Sequence, residues 1–553
     1  MTTDLGKDQA RPSDEPPPRP GGQPLPRPGG VPAATTRRRN QDRNQDQDTV
    51  PLALLDLDGT LDETAGETGP TPGRTGVVRQ ALLSLCALGL VVTVIPLVVL
   101  QIPDAVAWVV PPPVAAAGPG AVASLLRASG LALPAMAVAG SLAALMVRWL
   151  RAGPVLLSGL LVLAVADALG GVVRTVALIG VDRSLHGAGA GIAAAGVVAV
   201  VTERGQTQAP NGGRRVLAGL WSAFTVAGLA AAPELMRHRV GSGNWVVALQ
   251  PFPWLTGAAL ALGALYALLA EGTVATTTRN LFPAAERTQL ALLTAPVAGI
   301  CAIALAVTYP GGQAVTAAAV AGALALAGIA AITARAATAA RFAVVCAVAG
   351  FTVSPAAGAV TALTRSGVHS GVVVLVAALG GAGLAVATRQ PQARAVTATG
   401  LSVAAVGFAA LDLAGLYLPG LAAVPGPLVA ALCVPVAGGL AAALTAALRT
   451  AGSAGTLAGA VILLAGLVAG YLAAGAVQLH AIAGAVTPPA ARAALAAAAG
   501  HWALVAAAVT GAVAVAMACP PGRAPAGRTG NSRTGVAVGG APVLGAGGSP
   551  DRG

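Results

Sequence analysis

The most informative shortage in this 553-residue sequence is charge. Only 10% of its residues are Asp, Glu, Lys or Arg, whereas about 25% of a soluble domain is charged. Hydrophobic residues make up 55% of the chain, and its mean hydropathy is +0.75. These values exclude a large soluble protein, because too little polar surface would be left to cover its core.

Cysteine and aromatic residues are also scarce. The five cysteines lie in or beside apolar segments and form no metal-type pair, so we expect no structural disulfide and no metal site. Aromatic residues make up 3% of the chain. A cavity lined by Ala, Val, Leu and Gly would therefore suit bulky, greasy compounds. The N-terminus lacks the basic region and short apolar core of a secretory signal.

Long apolar runs dominate what is present, and each is long enough to cross a bilayer as a helix. Residues 1–75 and 521–553 are predicted to be disordered tails, because they are too polar and too rich in Pro and Gly to fold. Between the tails we predict an all-α membrane protein with fourteen spans. The spans are about 79–101, 122–147, 153–172, 175–201, 215–236, 245–270, 288–308, 313–334, 341–363, 369–388, 394–415, 422–448, 456–478 and 499–519.

The distribution of arginine predicts the orientation. With the N-terminus in the cytoplasm, the cytoplasmic side holds Arg148, Arg151, Arg204, Arg214, Arg215, Arg279, Arg287, Arg335, Arg341, Arg389, Arg394 and Arg449. The other side holds Arg174, Arg237, Arg239, Arg365 and Arg492. Because cytoplasmic loops carry the excess of basic residues, twelve against five supports an even number of spans and two cytoplasmic termini. The net charge of +12 therefore reflects topology, and we expect no nucleic-acid partner.

The fourth and fifth spans carry a recognisable pattern. "DRSLHGAGAG", residues 182–191, resembles the fourth-helix motif of the major facilitator superfamily, with Arg183 on its arginine, His186 on its glutamine, and Gly187 and Gly189 on its glycines. "GGRRVLAGLWSAFTVAGLAAAPE", residues 212–234, is similar to the fifth-helix antiporter motif, with matches at Gly228 and Pro233.

This resemblance implies a fold and an arrangement of domains. Fourteen spans fit the drug:proton antiporter branch of the superfamily as six plus two plus six. The implied division is a six-helix bundle at 76–270, two linker helices at 271–340 and a second six-helix bundle at 341–520. The implied protein is a monomer in the plasma membrane, with a small-molecule substrate, protons as the coupling ion and no cofactor.

Two departures from the family pattern bear on coupling. The family's loop between helices two and three corresponds to "GSLAALMVRW", 140–149, which keeps Gly140 and Arg148 but has Ala144 and Leu145 where the family has aspartate and arginine. The first span keeps Thr93 and lacks the acid that this branch usually carries before it.

Buried ionisable residues are the candidates for function, because a charge at the bilayer centre costs about 2.5–3.5 kcal/mol. Arg183 either senses protonation or an anionic group in a central cavity, or pairs with Asp182 near the outer interface. Asp167 and Asp412 are either proton carriers or interfacial acids. His186 either titrates near neutral pH or packs between helices. Glu234, close to Arg237 and Arg239, is expected in a solvated interfacial cluster.

One further motif suggests a different chemistry. "LDLDGT", residues 55–60, resembles the first motif of haloacid-dehalogenase phosphatases, with Asp56 and Asp58 on its two acids. That family also needs a doubly wound domain and a later basic residue, usually lysine. The apolar spans follow instead, and Lys7 lies upstream. We therefore predict that the chain is not an enzyme.

Two functions follow from these observations. The first is a secondary transporter that exports a small amphiphilic compound by proton antiport with alternating access. The second is a degenerate family member without proton coupling, acting as a membrane scaffold or a lipid-handling protein. Arg183 and the glycines after it favour the first function. Ala144 and the missing acid in the first span favour the second.

Overall fold

The computed structural model describes most of the apolar region. The described residues are 74–103, 114, 116, 118–147, 149–173, 175–207, 212–241, 245–250, 252–271, 339–363, 369–417, 426–482 and 487–519. The predicted tails and the two predicted linker helices lie outside this set, apart from a few residues at their edges. The described part is helical throughout, which confirms the predicted all-α membrane fold.

The first half of the structure begins at Arg74 and ends at Ala270. Its helices are α1 (Arg74–Leu100), α2 (Pro119–Ser129), α3 (Ala132–Met146), α4 (Ala152–Gly170), α5 (Val176–Thr207), α6 (Gly212–Val240), α7 (Trp245–Leu249) and α8 (Pro253–Ala270). The second predicted span is thus two helices, since Ser129 and Gly130 end the first and Leu131 begins a new turn. Pro233 lies inside α6, which continues past it to Val240.

The second half contains six long helices. They are α9 (Ala339–Leu363), α10 (His369–Ala387), α11 (Ala393–Tyr417), α12 (Gly426–Thr450), α13 (Ser453–Ile482) and α14 (Pro488–Ala518). The last helix begins eleven residues before its predicted span at 499. Thr487 caps it by accepting a hydrogen bond from the backbone N–H of Ala490 (3.3 Å), and two prolines follow at the start of the helix.

The two halves repeat one packing pattern. In the first half α5 packs against both α3 and α4, while α1 packs against α6 and α8. In the second half α12 packs against both α10 and α11, while α9 packs against α13 and α14. The halves meet through equivalent helices, because α6 reaches α9, α10 and α12, and α13 reaches α3 and α5.

Glycines allow the closest helix contacts in both halves. A Cβ added to Gly187 in α5 would overlap the backbone carbonyl of Ala132 in α3, and one added to Gly381 in α10 would overlap the carbonyl of Gly438 in α12. Small residues at such contacts let two backbones approach in a membrane, where no hydrophobic force pushes helices together. The Gly- and Ala-rich composition therefore serves packing in the two halves alike.

The outer surface fits a bilayer. Ten helices are long and apolar enough to cross one within the described residues, and many large apolar side chains point outward, including Val406 and Leu384, both 67% exposed. The exposed Trp149 and Trp254 lie at connections, where amphipathic rings favour the lipid–water interface. The chain is therefore an integral, multi-pass membrane protein.

Arginine side chains gather at one end of the bundle. We call it the Arg79 end, and it contains Arg79, Glu203, Arg204, Arg214, Arg394 and Arg449. Arg204 stacks over the ring of Tyr266, with 5.5 Å to the ring centroid. The opposite end, where Gln101 follows α1, is called the Gln101 end.

Candidate functional site

Arg183 is one of the most deeply buried side chains of the described chain, with 1% exposure. It lies two turns into α5, and its Nη2 donates a hydrogen bond to the backbone carbonyl of Gln101 (3.1 Å) at the end of α1. Arg183 is thus buried among the helices beside the end of α1. Its guanidinium ties α5 to the last turn of α1, where both helices are far from the Arg79 end.

His186 lies one turn after Arg183 and binds two carboxylates. Its Nε2 lies 3.2 Å from Oδ1 of Asp167 in α4. Its Nδ1 lies 3.0 Å from the backbone carbonyl of Asp182 and 3.4 Å from that residue's Oδ2. His186 is 0% exposed, Asp182 1% and Asp167 6%. These three residues are called the Asp–His cluster.

The geometry fixes how many protons the Asp–His cluster needs. A backbone carbonyl only accepts hydrogen bonds, so Nδ1 carries a hydrogen. The contact between Nε2 and Asp167 then requires one more proton, either on the imidazole or on the carboxyl. If that proton leaves, a lone pair and a negative oxygen face each other in a buried site, and the contact is lost. The contact as it stands therefore places one shared proton between α4 and α5.

A central cavity lies between the two halves at the middle of the bundle. It is lined by α1, α5, α6 and α13, together with Ile102 after α1. Its lining residues are apolar except for Trp221 and Thr225 in α6. The last turns of α1 form one wall of this cavity, and Arg183 binds the carbonyl of Gln101 at the end of that same helix.

A second cavity, here called the lateral cavity, lies between α6 and the second half. Helices α9, α10, α11 and α12 form most of its walls. Glu234 is the single charged side chain among the described lining residues, and it is 7% exposed. The prediction of a solvated Glu234 is therefore wrong, because α6 turns this residue toward the second half. Arg237 lies 3.4 Å from its carboxylate.

The predicted motif glycines lie at helix contacts. A Cβ added to Gly189 would lie only 2.8 Å from Leu163 of α4, and one added to Gly228 would lie 3.3 Å from Val99 of α1. Gly140, which matches the family's loop motif, lies within α3 and inside the predicted span 122–147. A Cβ added to it would overlap Leu464 and lie 3.2 Å from the carbonyl of Gly191.

The other predicted residues are not part of the Asp–His cluster. Asp412 is half-buried in α11, where its Oδ1 faces Gly500 of α14 in the second half. Arg148 and the acidic motif around Asp56 lie outside the described residues. No contact joins Asp412 to the cluster among the described residues.

A hydrogen bond joins the two halves at the Arg79 end. Nη2 of Arg214, near the start of α6, donates to the carbonyl of Ala451 just after α12 (2.9 Å). Arg449 in turn binds the end of α10 through the carbonyls of Ala385 and Thr388. Since the last carbonyls of a helix lack partners within the helix, arginine is well suited to hold these ends together.

Sequence reasoning missed several of these contacts. The spacing of Asp182 and His186, four residues apart on one helix, was a usable signal for their contact. No such signal connects Asp167 to His186, since the pairing depends on how far α4 and α5 slide past each other. Glu234, Trp221 and Thr225 become visible as cavity residues only when helices from both halves are assembled.

Comparison with known proteins identifies the fold. No family model and no curated protein sequence matches the chain. Among solved structures, a POT family transporter in complex with a thioalcohol-conjugated peptide is 15% identical over 80% of this chain and 96% of its own, with a TM-score of 0.51. The peptide transporter POT in complex with sulfate is 17% identical over 78% and 94%, with a TM-score of 0.52.

A POT family transporter in complex with 5-aminolevulinic acid is 12% identical over 79% of this chain and 95% of its own, with a TM-score of 0.52. These likenesses are all below 25% identity and show the fold: the chain folds like these POT family transporters. All three neighbours are described as transporters. The fourteen-helix drug antiporter branch stays a prediction.

Proposed function

We propose that the chain is a secondary transporter that exports a small amphiphilic compound in exchange for protons. The observation that carries the proposal is the Asp–His cluster, in which two carboxylates and an imidazole are buried together in a transporter fold. A buried charged group in a membrane helix is expensive to maintain and usually serves transport or ion relay. Packing alone does not require it, because the second half packs in the same way without one.

In this mechanism the proton between His186 and Asp167 controls the end of α1. Loss of that proton leaves Asp167 and Asp182 negative beside Arg183. We expect the guanidinium to turn from the carbonyl of Gln101 toward these carboxylates, since opposite charges attract strongly in a low-dielectric site. The last turn of α1 would then be free to move, and with it one wall of the central cavity.

Alternating access follows from the contacts between the halves. Helices α6 and α13 are the parts of each half that reach the other, and the central cavity lies beside both. Rocking of one half against the other around a fixed site is the usual mode of such repeats. In this structure Arg214 holds the halves together at the Arg79 end.

The lining of the central cavity supports an amphiphile rather than a peptide as substrate. Two of the neighbouring transporters are in complex with a conjugated peptide and with 5-aminolevulinic acid. Both compounds carry ionisable groups, whereas none of the described residues that line the central cavity here is charged. We further propose that the protein resides as a monomer in the plasma membrane, with the arginine-rich Arg79 end and both termini in the cytoplasm.

Efflux measurements test the proposal. Cells expressing the chain would be loaded with a panel of amphiphiles, with and without a protonophore. The wild type, Asp167→Asn, Arg183→Ala and Asp412→Asn would be compared at equal expression. We expect efflux by the wild type to be sensitive to the uncoupler. Efflux should fall at least tenfold in Asp167→Asn and in Arg183→Ala. Asp412→Asn is the matched control, a carboxylate of the second half outside the cluster, and should keep its efflux.

Other outcomes would contradict specific parts of the proposal. An efflux rate that changes neither with the protonophore nor in Asp167→Asn would contradict proton coupling. It would favour the uncoupled family member, consistent with Ala144 in place of the family's aspartate. Uptake in place of efflux would reverse the direction. Equal losses in Asp167→Asn and Asp412→Asn would remove the special place of the Asp–His cluster.

A further inference from the structure

Most buried hydroxyl groups among the described residues donate to a carbonyl of their own helix; Thr225, Thr256 and Thr510 have no such bond, and Ser354 pairs with Tyr471. Ser222 donates to the carbonyl of Ala218 (2.9 Å), Thr352 to that of Val348 (2.7 Å) and Thr445 to that of Ala441 (2.7 Å), each four residues earlier. This local bond is the common solution for Ser and Thr in membrane helices. A buried hydroxyl without such a bond therefore stands out.

Thr225 is such an exception, and it lies in the wall of the central cavity. Its side chain is buried, with 2% exposure, and its Oγ1 has no hydrogen-bond partner among the described residues. Trp221, one turn earlier on α6, lines the same cavity with 3% exposure, and its indole N–H is likewise without an acceptor there. The ring of Trp221 packs against Phe342 of α9, with centroids 5.9 Å apart.

Two unpaired donors on one face of a helix define what they would bind. Residues four apart on a helix are neighbours, with their Cβ atoms about 5–6 Å apart. An indole N–H can only donate, and a threonine hydroxyl can donate to the same atom. One carbonyl or ether oxygen between them has two lone pairs and would satisfy both. Leaving a buried donor unpaired costs about 1–3 kcal/mol, so such an oxygen would be bound favourably.

We propose that the central cavity binds neutral, compact lipophilic molecules that carry one oxygen acceptor, and that Trp221 and Thr225 recognise this oxygen. The inference rests on the proposed transport function and names the class of compound it serves. Uncharged lining residues such as Val98, Leu229 and Leu464 would surround the apolar body. A cation would find no carboxylate among the described lining residues.

Direct binding to the purified full-length chain in lipid nanodiscs tests this inference. Three probes share one rigid bicyclic skeleton: camphor has a carbonyl oxygen, bornane has no polar atom, and bornylamine is a cation at neutral pH. Each probe would be equilibrated with nanodiscs that contain the protein and with nanodiscs that lack it. Gas chromatography would then measure how much more probe the protein-containing nanodiscs bind. We expect saturable camphor binding at least fivefold tighter than that of bornane or bornylamine.

Substitutions identify the recognising atoms. Trp221→Phe and Thr225→Val keep the packing but remove the donors, and each should weaken camphor binding about fivefold, the effect of one lost hydrogen bond. Matched controls exist on α14, where Trp502 and Thr510 are also buried without a hydrogen-bond partner among the described residues but line neither described cavity. Trp502→Phe and Thr510→Val should change binding less than twofold.

Several results would overturn the inference. They are no saturable camphor binding by the wild type, equal binding of camphor and bornane, tighter binding of bornylamine, or equal effects of Trp221→Phe and Trp502→Phe. The binding assay needs no proton gradient. Camphor binding without any efflux would therefore contradict only the proposed transport function. Uncoupler-sensitive efflux of amphiphiles without camphor binding would contradict only this inference.

Discussion

In the first half of the molecule α5 carries Asp182, Arg183 and His186 into the interior, whereas its counterpart in the second half, α12, buries only Thr445 and Arg449 among its polar residues at 427–450. Both helices pack between two neighbours through close glycine contacts. The comparison separates two requirements. Small residues are needed wherever the fold repeats. Buried carboxylates, by contrast, occur only in the first half among the described residues, so the repeated packing does not require them.

The largest expected effect tests whether the two halves share the same packing. Gly187→Ala in the first half and Gly381→Ala in the second each place a Cβ on a neighbouring carbonyl. The helices must then move apart, and we expect each variant to lose about 3 kcal/mol of unfolding free energy. Denaturant titration in mild detergent, followed by tryptophan fluorescence, would measure the loss.

Gly383→Ala is the control for this pair. It lies on α10, two residues from Gly381, and a Cβ there would meet nothing within 4 Å. Alanine favours a helix by up to about 1 kcal/mol over glycine, so this variant should be as stable as the wild type or slightly more stable. Destabilisation of only one half by the two close-contact substitutions would mean that the halves do not pack alike.

The second prediction concerns the chemistry by which the halves differ. Asp167→Leu leaves Nε2 of His186 without its partner in a buried site, and the expected loss is about 2–3 kcal/mol. Asp167→Asn keeps a hydrogen bond to the neutral ring, because its amide N–H can donate to Nε2, and should lose about 1 kcal/mol. In the second half, Thr445→Val removes a hydroxyl bonded only within its own helix, so its cost should stay below about 1 kcal/mol.

The same unfolding titration measures all three variants. A loss in Thr445→Val as large as that in Asp167→Leu would show that buried polar groups matter equally in both halves. A stable Asp167→Leu protein would show that the contact between His186 and Asp167 contributes little to the folded state. Either result would weaken the case that the first half alone contains a specialised polar site.

The sequence predicts where helices begin and end better than it predicts how neighbouring helices align along their axes. Apolar runs placed α5 at 175–201, and the structure has Val176–Thr207, because hydropathy reports directly on which residues can lie in a bilayer. The break near Gly130 was not predicted, since the run from 122 to 147 is apolar on both sides of it. Asp167 and His186 were each singled out as buried ionisable residues, but their contact was not.

The reason lies in how these contacts arise. Asp167 meets His186 because Gly159, Gly189 and Gly196 allow α4 and α5 to touch at one particular register. Many registers would bury equivalent alanines and valines, so the apolar pattern does not choose between them. The cavities need a further level, because their walls come from both halves. The nearby arginines in the sequence therefore led us to expect a solvated Glu234. In the structure it lines the lateral cavity together with apolar residues of α9 to α12.

The smallest expected effect concerns the contact between the halves rather than within them. Arg79 donates to the carbonyl of Leu269 inside the first half (2.9 Å), and Arg394 donates to that of Met517 inside the second (2.7 Å). Arg214 makes the same kind of bond across the halves, to Ala451. Loss of one charged hydrogen bond near the surface costs about 1 kcal/mol, a roughly fivefold shift between two arrangements of the halves.

Arg214→Gln should therefore widen the Arg79 end, whereas Arg79→Gln and Arg394→Gln should lower stability without widening it. Spin labels at Trp149 and Arg389, one exposed position on each half near this end, would report the separation in a background with the exposed Cys519 replaced by serine. A longer distance population in Arg214→Gln alone would identify its bond as a latch between rigid halves. The same change in Arg79→Gln would show instead that the halves themselves deform, and rocking of intact bundles would no longer describe the motion.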